Sequence, residues 1–163
     1  MIELSDSQRA QYFQRSYTSV DGLWFMKVEE KYDFDTALDL DRNVWKVLPK
    51  IQARTLIKLG NLGRGLETLR EALETKLDLE GYKFSIEKGN GKREFTIYVT
   101  ECPWVNLMKS SQRKHLAEKV GETICTEEYP VWASEFGEHI DFSLEGMLCG
   151  GAQCCIMKFV ETI

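Results

Sequence analysis

The period of the hydrophobic residues changes near residue 80, and this change restricts the folds that the chain can adopt. Up to that point, apolar side chains recur every three or four residues, as they do along one face of a helix. Beyond it, Tyr82, Phe84 and Ile86 alternate with polar residues, and the alternation resumes over Phe95–Val99 after the turn Gly89-Asn90-Gly91. Two alternating runs joined by an Asn-Gly turn are typical of a β-hairpin.

The first 80 residues are predicted to be helical throughout. We expect a first helix over about Ser5–Tyr17, and a second that begins after Asp21 and runs to about Tyr32. A third helix opens at Asp35, and Pro49 should kink or split it because proline breaks the helical hydrogen-bond ladder. A fourth covers about Gly65–Leu79.

The second half of the chain supplies the strands that this helical layer would cover. After the first hairpin we expect a helix over about Ser110–Ile124 and a short one over about Glu127–Phe136. The tail is predicted to form a second hairpin from His139–Leu144 and Cys154–Val160. The sequence therefore predicts a single α+β domain over residues 1–163, in which the helical half packs on an antiparallel sheet of about four strands.

Composition argues against several classes of partner. Lys and Arg number 21 against 26 Asp and Glu, and the net charge of −5 argues against binding to nucleic acid or to anionic membranes. No apolar run approaches the roughly 18–20 residues of a membrane span, and no signal peptide is visible. We therefore expect a cytoplasmic protein, and a homodimer is compatible with the sequence.

Cysteine is the residue type that most suggests chemistry. An odd count in a chain without a visible signal peptide argues against a disulfide framework. Thiolates are soft ligands for zinc, copper(I) or iron–sulfur clusters, so clustering favours metal binding or thiol chemistry over free thiols in a core. The five cysteines all lie at the ends of predicted elements: Cys102, Cys125, Cys149, Cys154 and Cys155.

Other polar residues carry weaker signals. His115 and His139 lack the spacing of a metal-binding pair, and no serine-nucleophile motif is present. The pair Glu127-Glu128 is interpreted as a solvated helix face.

Over about residues 80–163, the chain resembles the 4-vinyl reductase domain superfamily, which includes the sensor domains of aromatic-responsive transcription activators. The residues that carry the resemblance are Cys125, Asp141–Glu145, Cys149, Gly151, Cys154 and Phe159. In the sensor branch, cysteines and a glutamate bind structural zinc beside a small-molecule pocket. By position, the resemblance implies the ligands Cys125, Glu145, Cys149, and Cys154 or Cys155.

A second set of metal ligands is equally open. Cys102 could replace Glu145, and four thiolates would suit zinc or an iron–sulfur cluster. In either case the first functional hypothesis is a small-molecule-binding domain whose structural metal site lies near the C-terminus.

Two further hypotheses come from different classes of protein. The chain also resembles L-2-amino-thiazoline-4-carboxylic acid hydrolase-like proteins, which implies opening of a cyclic C–N or C–S bond. The attacking group would then be a cysteine thiolate or a metal-bound water. The candidate residues are Cys102 or Cys125, assisted by His115, Glu101 or Arg113. The third hypothesis is an iron–sulfur or redox accessory protein.

Overall fold

A computed structural model describes residues 1–89 and 93–162. Short 3₁₀ helices at Lys114–Leu116 and Leu148–Gly150 accompany the regular elements. In chain order these are α1 (Asp6–Lys31), α2 (Phe34–Trp45), α3 (Leu48–Gly60), α4 (Leu66–Leu79), β1 (Lys83–Lys88), β2 (Glu94–Glu101), α5 (Pro103–Ser110), α6 (Ala117–Phe136), β3 (Ile140–Glu145) and β4 (Cys155–Glu161).

The four strands form one antiparallel sheet in the order β1-β2-β4-β3. Phe95 lies opposite Phe159 in the two central strands, and their rings stack with centroids 4.8 Å apart. Both predicted hairpins are present, and the predicted α+β fold is confirmed. The turn predicted at Gly89-Asn90-Gly91 falls partly outside the described residues.

The chain divides into two compact units, residues 1–41 and 42–163. In the first unit, α1 begins with a capping box in which Ser5 and Gln8 bond reciprocally. The predicted break at Asp21 is wrong, since α1 is continuous through it. A glycine such as Gly22 costs a helix only about 1 kcal/mol relative to alanine, and no proline interrupts the hydrogen-bond ladder here.

The second unit holds the sheet and the hydrophobic core. Alternate residues of β2 point inward, and Ile97 and Val99 are at most 2% exposed. The apolar faces of α3, α4 and α6 contribute to the same core, in which Ala53, Leu73 and Trp132 have no exposed surface. Pro49 lies at the first turn of α3, so the predicted split between α2 and α3 is confirmed.

Helix α6 differs from its prediction. It is one helix of 20 residues, with Pro130 in its interior, where two helices separated near Thr126 were expected. An interior proline costs about 3 kcal/mol. Burial of Tyr129, Trp132 and Phe136 on the core side offsets that cost, because each large aromatic side chain contributes on the order of 2 kcal/mol when fully buried.

The segment before α6 also differs from its prediction. Ser110 ends α5 rather than beginning a long helix, and proline occupies the first position of α5, where its missing N–H is harmless. In the described part of the chain, no helix combines the length and the apolar character that a membrane crossing requires.

Candidate functional site

The predicted metal ligands do not form a metal site. Across residues 1–89 and 93–162, no group of three His, Cys, Asp or Glu side chains is arranged to hold a metal ion. All five cysteines are free thiols. The prediction of a cysteine-rich metal-binding protein from Cys102, Cys125, Glu145, Cys149, Cys154 and Cys155 is therefore wrong. Zinc or an iron–sulfur cluster as cofactor stays a prediction from the sequence alone.

The cysteines instead serve packing. Cys102, Cys125 and Cys155 contact the hydrophobic core. The predicted position of Cys125 at the end of a helix is wrong, since it lies inside the continuous α6. Cys149 packs so closely on α6 that a Cβ atom added at Gly121 would lie 2.7 Å from its Sγ. The Sγ atom of Cys155 accepts a hydrogen bond from the backbone N–H of Leu148 at 3.3 Å. Of the remaining two candidates, Cys154 is partly buried and Glu145 is exposed at the end of β3.

Burial also makes these thiols weak nucleophiles. It raises the pKa of Cys155 to about 11 and is the largest cause of the raised pKa of Cys102. Burial, with the nearby Glu128 carboxylate, raises the pKa of Cys125 well above its usual value. The thiolate is the reactive form, so at neutral pH very little of either proposed nucleophile is reactive. The hydrolase hypothesis stays a prediction, and these shifts do not favour it.

A different polar cluster lies at the centre of the second unit. Lys76 lies on the buried stripe of α4, seven residues after Leu69 and three after Leu73. Its side chain is only 3% exposed. Its Nζ lies 2.5 Å from Oε1 of Glu128 and 3.1 Å from Oε2 of Glu80. One buried ammonium group therefore serves two carboxylates.

The interpretation of Glu128 as a solvated residue is wrong. Its side chain is 3% exposed, and the continuous α6 turns it toward α4 together with Tyr129 and Trp132. Its neighbour Glu127 is the more exposed of the two and pairs with Arg42.

Aromatic rings enclose the ammonium group on its other sides. Nζ of Lys76 lies 5.5 Å from the ring centroid of Tyr82 and 5.3 Å from that of Tyr129. At these distances a buried cation is attracted to the ring face. Tyr82 is also near enough to Cys102 to oppose, in part, the rise that burial causes in the pKa of that thiol.

The charges of the cluster are unequal. Burial alone would lower the pKa of Lys76, but Glu128, Tyr129 and Glu80 outweigh it and hold that pKa well above its usual value. Burial raises the pKa of Glu128 although Lys76 opposes the shift. Both pKa shifts follow because one ammonium group is shared by two carboxylates. Lys76 stays protonated, and its single positive charge does not fully compensate the second negative charge.

A cavity of about 220 Å³ opens on this cluster. Its walls come from α3, α4, α6 and Glu80, which follows α4, and all of them belong to the second unit. We name it the Lys76–Glu80 cavity and define it by its lining residues Ile51, Gln52, Thr55, Leu56, Lys76, Leu79, Glu80 and Trp132.

Several buried polar atoms around this cavity lack a well-formed hydrogen bond to any described residue. They are Gln52 Oε1, Lys76 Nζ, Glu80 Oε2, Glu128 Oε1 and Trp132 Nε1. The ion-pair contacts of Lys76 are short but lack hydrogen-bond angles. The Trp132 N–H lies near enough to Glu128 to lower that pKa, yet outside hydrogen-bonding geometry. Since Lys76, Glu80 and Glu128 are paired with one another, Gln52 Oε1 and Trp132 Nε1 are the two atoms of this set that are in neither ion pair.

A larger cavity of about 440 Å³ near the start of α4 is a weaker candidate. Apart from Arg64, its charges are already paired, with Lys88 Nζ 2.7 Å from Glu67, Arg93 Nη1 3.6 Å from Glu161 and Glu94 3.0 Å from Lys158. Hydrogen bonds from Arg70 and Lys88 lower the pKa of Glu67 to about 2. These contacts explain the side chains there without a ligand.

The chain was compared with known proteins. A model described as a family of unknown function (DUF6125) matches residues 8–152. No curated protein and no solved structure matches the chain. The resemblance to the 4-vinyl reductase superfamily therefore stays a prediction.

Proposed function

The chain belongs to this family of unknown function, and we propose that it binds a small molecule in the Lys76–Glu80 cavity. The observation that carries the proposal is that two lining residues, Gln52 and Trp132, each hold a buried polar atom without a good hydrogen bond beside the ion pairs of Lys76. We infer that binding takes place in the cytoplasm, as the sequence predicts.

The free energy of these polar atoms supports the proposal. A buried donor or acceptor without a partner costs about 1–3 kcal/mol, so native proteins retain few of them. Their concentration around one cavity means that a bound molecule able to pair with them gains affinity. Ordered water could also pair with them, so the experiment must separate an organic ligand from water.

The walls favour an organic ligand. Leu56, Ile51 and Leu79 contribute apolar surface, and Ile51 and Leu79 are 58% and 62% exposed. Binding pockets for small molecules combine such walls with a few placed polar groups. A volume of about 220 Å³ lies below the roughly 300 Å³ at which drug-sized sites begin, so the ligand is small.

The experiment uses a substitution that fills the cavity. Thr55 is exposed on α3, lines the cavity, and donates its hydroxyl hydrogen bond to the carbonyl of Ile51. Thr55→Trp therefore adds bulk at the cavity wall. Thr75 on α4 is its matched control, since it is exposed, bonds in the same way to the carbonyl of Glu71, and does not line the cavity.

Binding is measured by ligand-observed NMR with a library of fragments of about six to ten heavy atoms, a size suited to the cavity. We expect fragments that bind the parent and Thr75→Trp but not Thr55→Trp. If no fragment binds the parent, or if Thr55→Trp binds the same fragments equally well, the proposal is refuted. Melting temperatures of all three proteins show whether each variant is folded.

A further inference from the structure

We propose that an exposed face of helix α1 binds α1 of a second copy of this chain, with the two helices antiparallel. The face is named the α1 face and consists of Tyr12, Phe13, Val20, Leu23 and Trp24. These residues all belong to the first compact unit, so ligand binding in the Lys76–Glu80 cavity is a separate question. Three features of α1 support the pairing: its burial, the area of its exposed face and the spacing of the residues along it.

Helix α1 buries little of its surface. It lies wholly within the described part of the chain, and none of its 26 residues is buried. In proteins, most of the stability of a helix comes from packing of one face. The sequence of α1 also contains several weak helix formers: Ser7, Ser16, Thr18, Ser19, Val20 and Gly22. A packing partner would therefore stabilise this helix.

The exposed side chains of α1 form one apolar surface. The five residues of the α1 face are between 52% and 70% exposed. Phe13, Val20 and Trp24 lie on one stripe, because their intervals of seven and four residues are close to two turns and one turn. Tyr12 and Leu23 flank one side of that stripe, and the rings of Tyr12 and Phe13 meet edge to face with centroids 5.5 Å apart. Contiguous apolar surface of this kind marks an interaction site.

The area of the α1 face suits a second copy. Large aromatic side chains present about 150–250 Å² each, so the exposed parts of the three aromatic and two aliphatic residues offer about 500 Å². Two copies would then bury about 1,000 Å², roughly the area at which a specific interface begins. The α1 face is therefore sufficient for a weak, reversible dimer.

The spacing along α1 is self-complementary. The stripe, extended to both ends of the helix, contains Asp6, Phe13, Tyr17, Val20, Trp24 and Lys31. The intervals between these residues are seven, four, three, four and seven, which read the same from either end. In an antiparallel pair, Phe13 would lie opposite the partner's Trp24, and Val20 opposite the partner's Tyr17. A two-fold axis would repeat each contact, as in most homodimers.

The charges at the ends of α1 select the antiparallel arrangement. Asp6 is exposed in the first turn and Lys31 in the last. Antiparallel helices would bring Asp6 to the partner's Lys31 at both ends of the contact, whereas parallel helices would bring like charges together. Exposed ion pairs contribute little affinity, but like charges that meet disfavour a wrong arrangement. Lys27, which would approach the partner's Arg9, is already neutralised by Glu30 at 2.7 Å.

Sedimentation equilibrium of the parent chain, from about 1 μM to about 200 μM, covers the range expected of a weak dimer. We expect a reversible equilibrium between monomer and dimer. Trp24→Ala should weaken the dimer by about tenfold or more, because a large aromatic side chain at the centre of an interface carries much of the affinity. Leu59→Ala, at an exposed apolar position of α3, is the matched control and should leave association unchanged.

Two charge reversals test the orientation of the helices. Asp6→Lys and Lys31→Glu should each weaken their own dimer by about fivefold or more, because both end contacts would then join like charges. An equimolar mixture of the two variants should restore the affinity of the parent, since both end contacts of the mixed dimer again join unlike charges. Damage within one helix would not be repaired by mixing.

Each outcome either supports or overturns the pairing. A parent chain that stays monomeric over the whole range refutes it, and binding of that monomer to phosphatidylcholine vesicles would assign the α1 face to a membrane instead. A dimer that Trp24→Ala leaves intact has its interface elsewhere, which also refutes the proposal. Charge variants that are weakened but not restored by mixing refute the antiparallel arrangement. Circular dichroism measures the helix content of each variant, and if Trp24→Ala loses helix, the mixing experiment decides.

Discussion

Lys76→Met is the substitution that tests the buried cluster most severely. It preserves a long, unbranched side chain but leaves Glu80 and Glu128 facing each other without a cation. Removing one partner of a buried ion pair costs about 3–5 kcal/mol, because the remaining charge is left uncompensated. Both Lys76 and Glu128 are 3% exposed, so solvent screens this interaction little, and we expect a loss of stability in that range at pH 7.

The loss should depend on pH in a defined direction. Without Lys76 the pKa of Glu128 in the folded state rises further above that of the unfolded chain, since burial already raises it and Lys76 opposes that shift. A group with a raised folded-state pKa favours folding below its unfolded pKa and loses that contribution as the pH rises through the folded value. The destabilisation of Lys76→Met should therefore be smaller at pH 4 than at pH 7.

Urea denaturation monitored by tryptophan fluorescence measures both effects. Lys58→Met, at an exposed position of α3, is the matched control and should change stability by less than about 0.5 kcal/mol. The double variant Lys76→Met/Glu128→Leu should recover most of the loss, since apolar residues can replace a buried pair at little cost. A loss below about 1 kcal/mol for Lys76→Met, equal at pH 4 and pH 7, would refute this account of the cluster.

Three further predictions concern other parts of the molecule. Gly121→Ala should destabilise the protein by about 1–3 kcal/mol because the new Cβ would lie too close to Cys149. Gly22→Ala has nothing within 4 Å of its new Cβ and should stabilise the protein by about 0.5–1 kcal/mol, so equal melting temperatures of the two variants would contradict the prediction. Cys125 should react with iodoacetamide far more slowly in the native protein at pH 7.5 than in urea, because burial raises the pKa of its thiol. Peptide mass spectrometry measures the two rates, and equal rates would contradict the prediction. Glu67→Gln should reduce the stability that the protein loses on acidification from about pH 4.5 to about pH 2. The native pKa of Glu67, about 2, lies below its unfolded value, so the stabilisation by this carboxylate disappears over that pH range; an unchanged acid-denaturation curve would contradict the prediction.

The fold was predicted from the sequence where local patterns decide it. Alternation around Phe95–Val99 and in the C-terminal hairpin predicted the strands of the sheet, because one face of each strand is buried. Helix α4 matched its apolar stripe almost to the residue. Helix α6 did not match its prediction. Pro130 in its interior and the capping residue Thr126 indicate a helix end in the sequence, but burial of the aromatic side chains keeps the helix continuous.

The candidate site was harder to predict because its residues are polar. Lys76 interrupts the apolar stripe of α4 at a core-facing position, and Glu80 follows it by four residues, which is the one local signal of the cluster. Glu128, which makes the shortest contact with Lys76, is 52 residues further along the chain, and only the fold brings the two together. The metal site was predicted wrongly for a related reason: clustering of cysteines in the sequence brings some of them to the same core, but it does not set the geometry of metal coordination.

The indole N–H signal of Trp132 offers the most direct test of ligand binding in the Lys76–Glu80 cavity. Trp132 has no exposed surface, lines the cavity, and carries an N–H without a well-formed hydrogen bond. The chain contains four tryptophans, so its indole signal can be assigned in a ¹H–¹⁵N spectrum with a Trp132→Phe variant. On titration with a fragment that binds the parent, we predict that this signal shifts progressively to saturation, and that Thr55→Trp abolishes the shift. A bound fragment that leaves the Trp132 signal in place while shifting the other indole signals would contradict binding in this cavity.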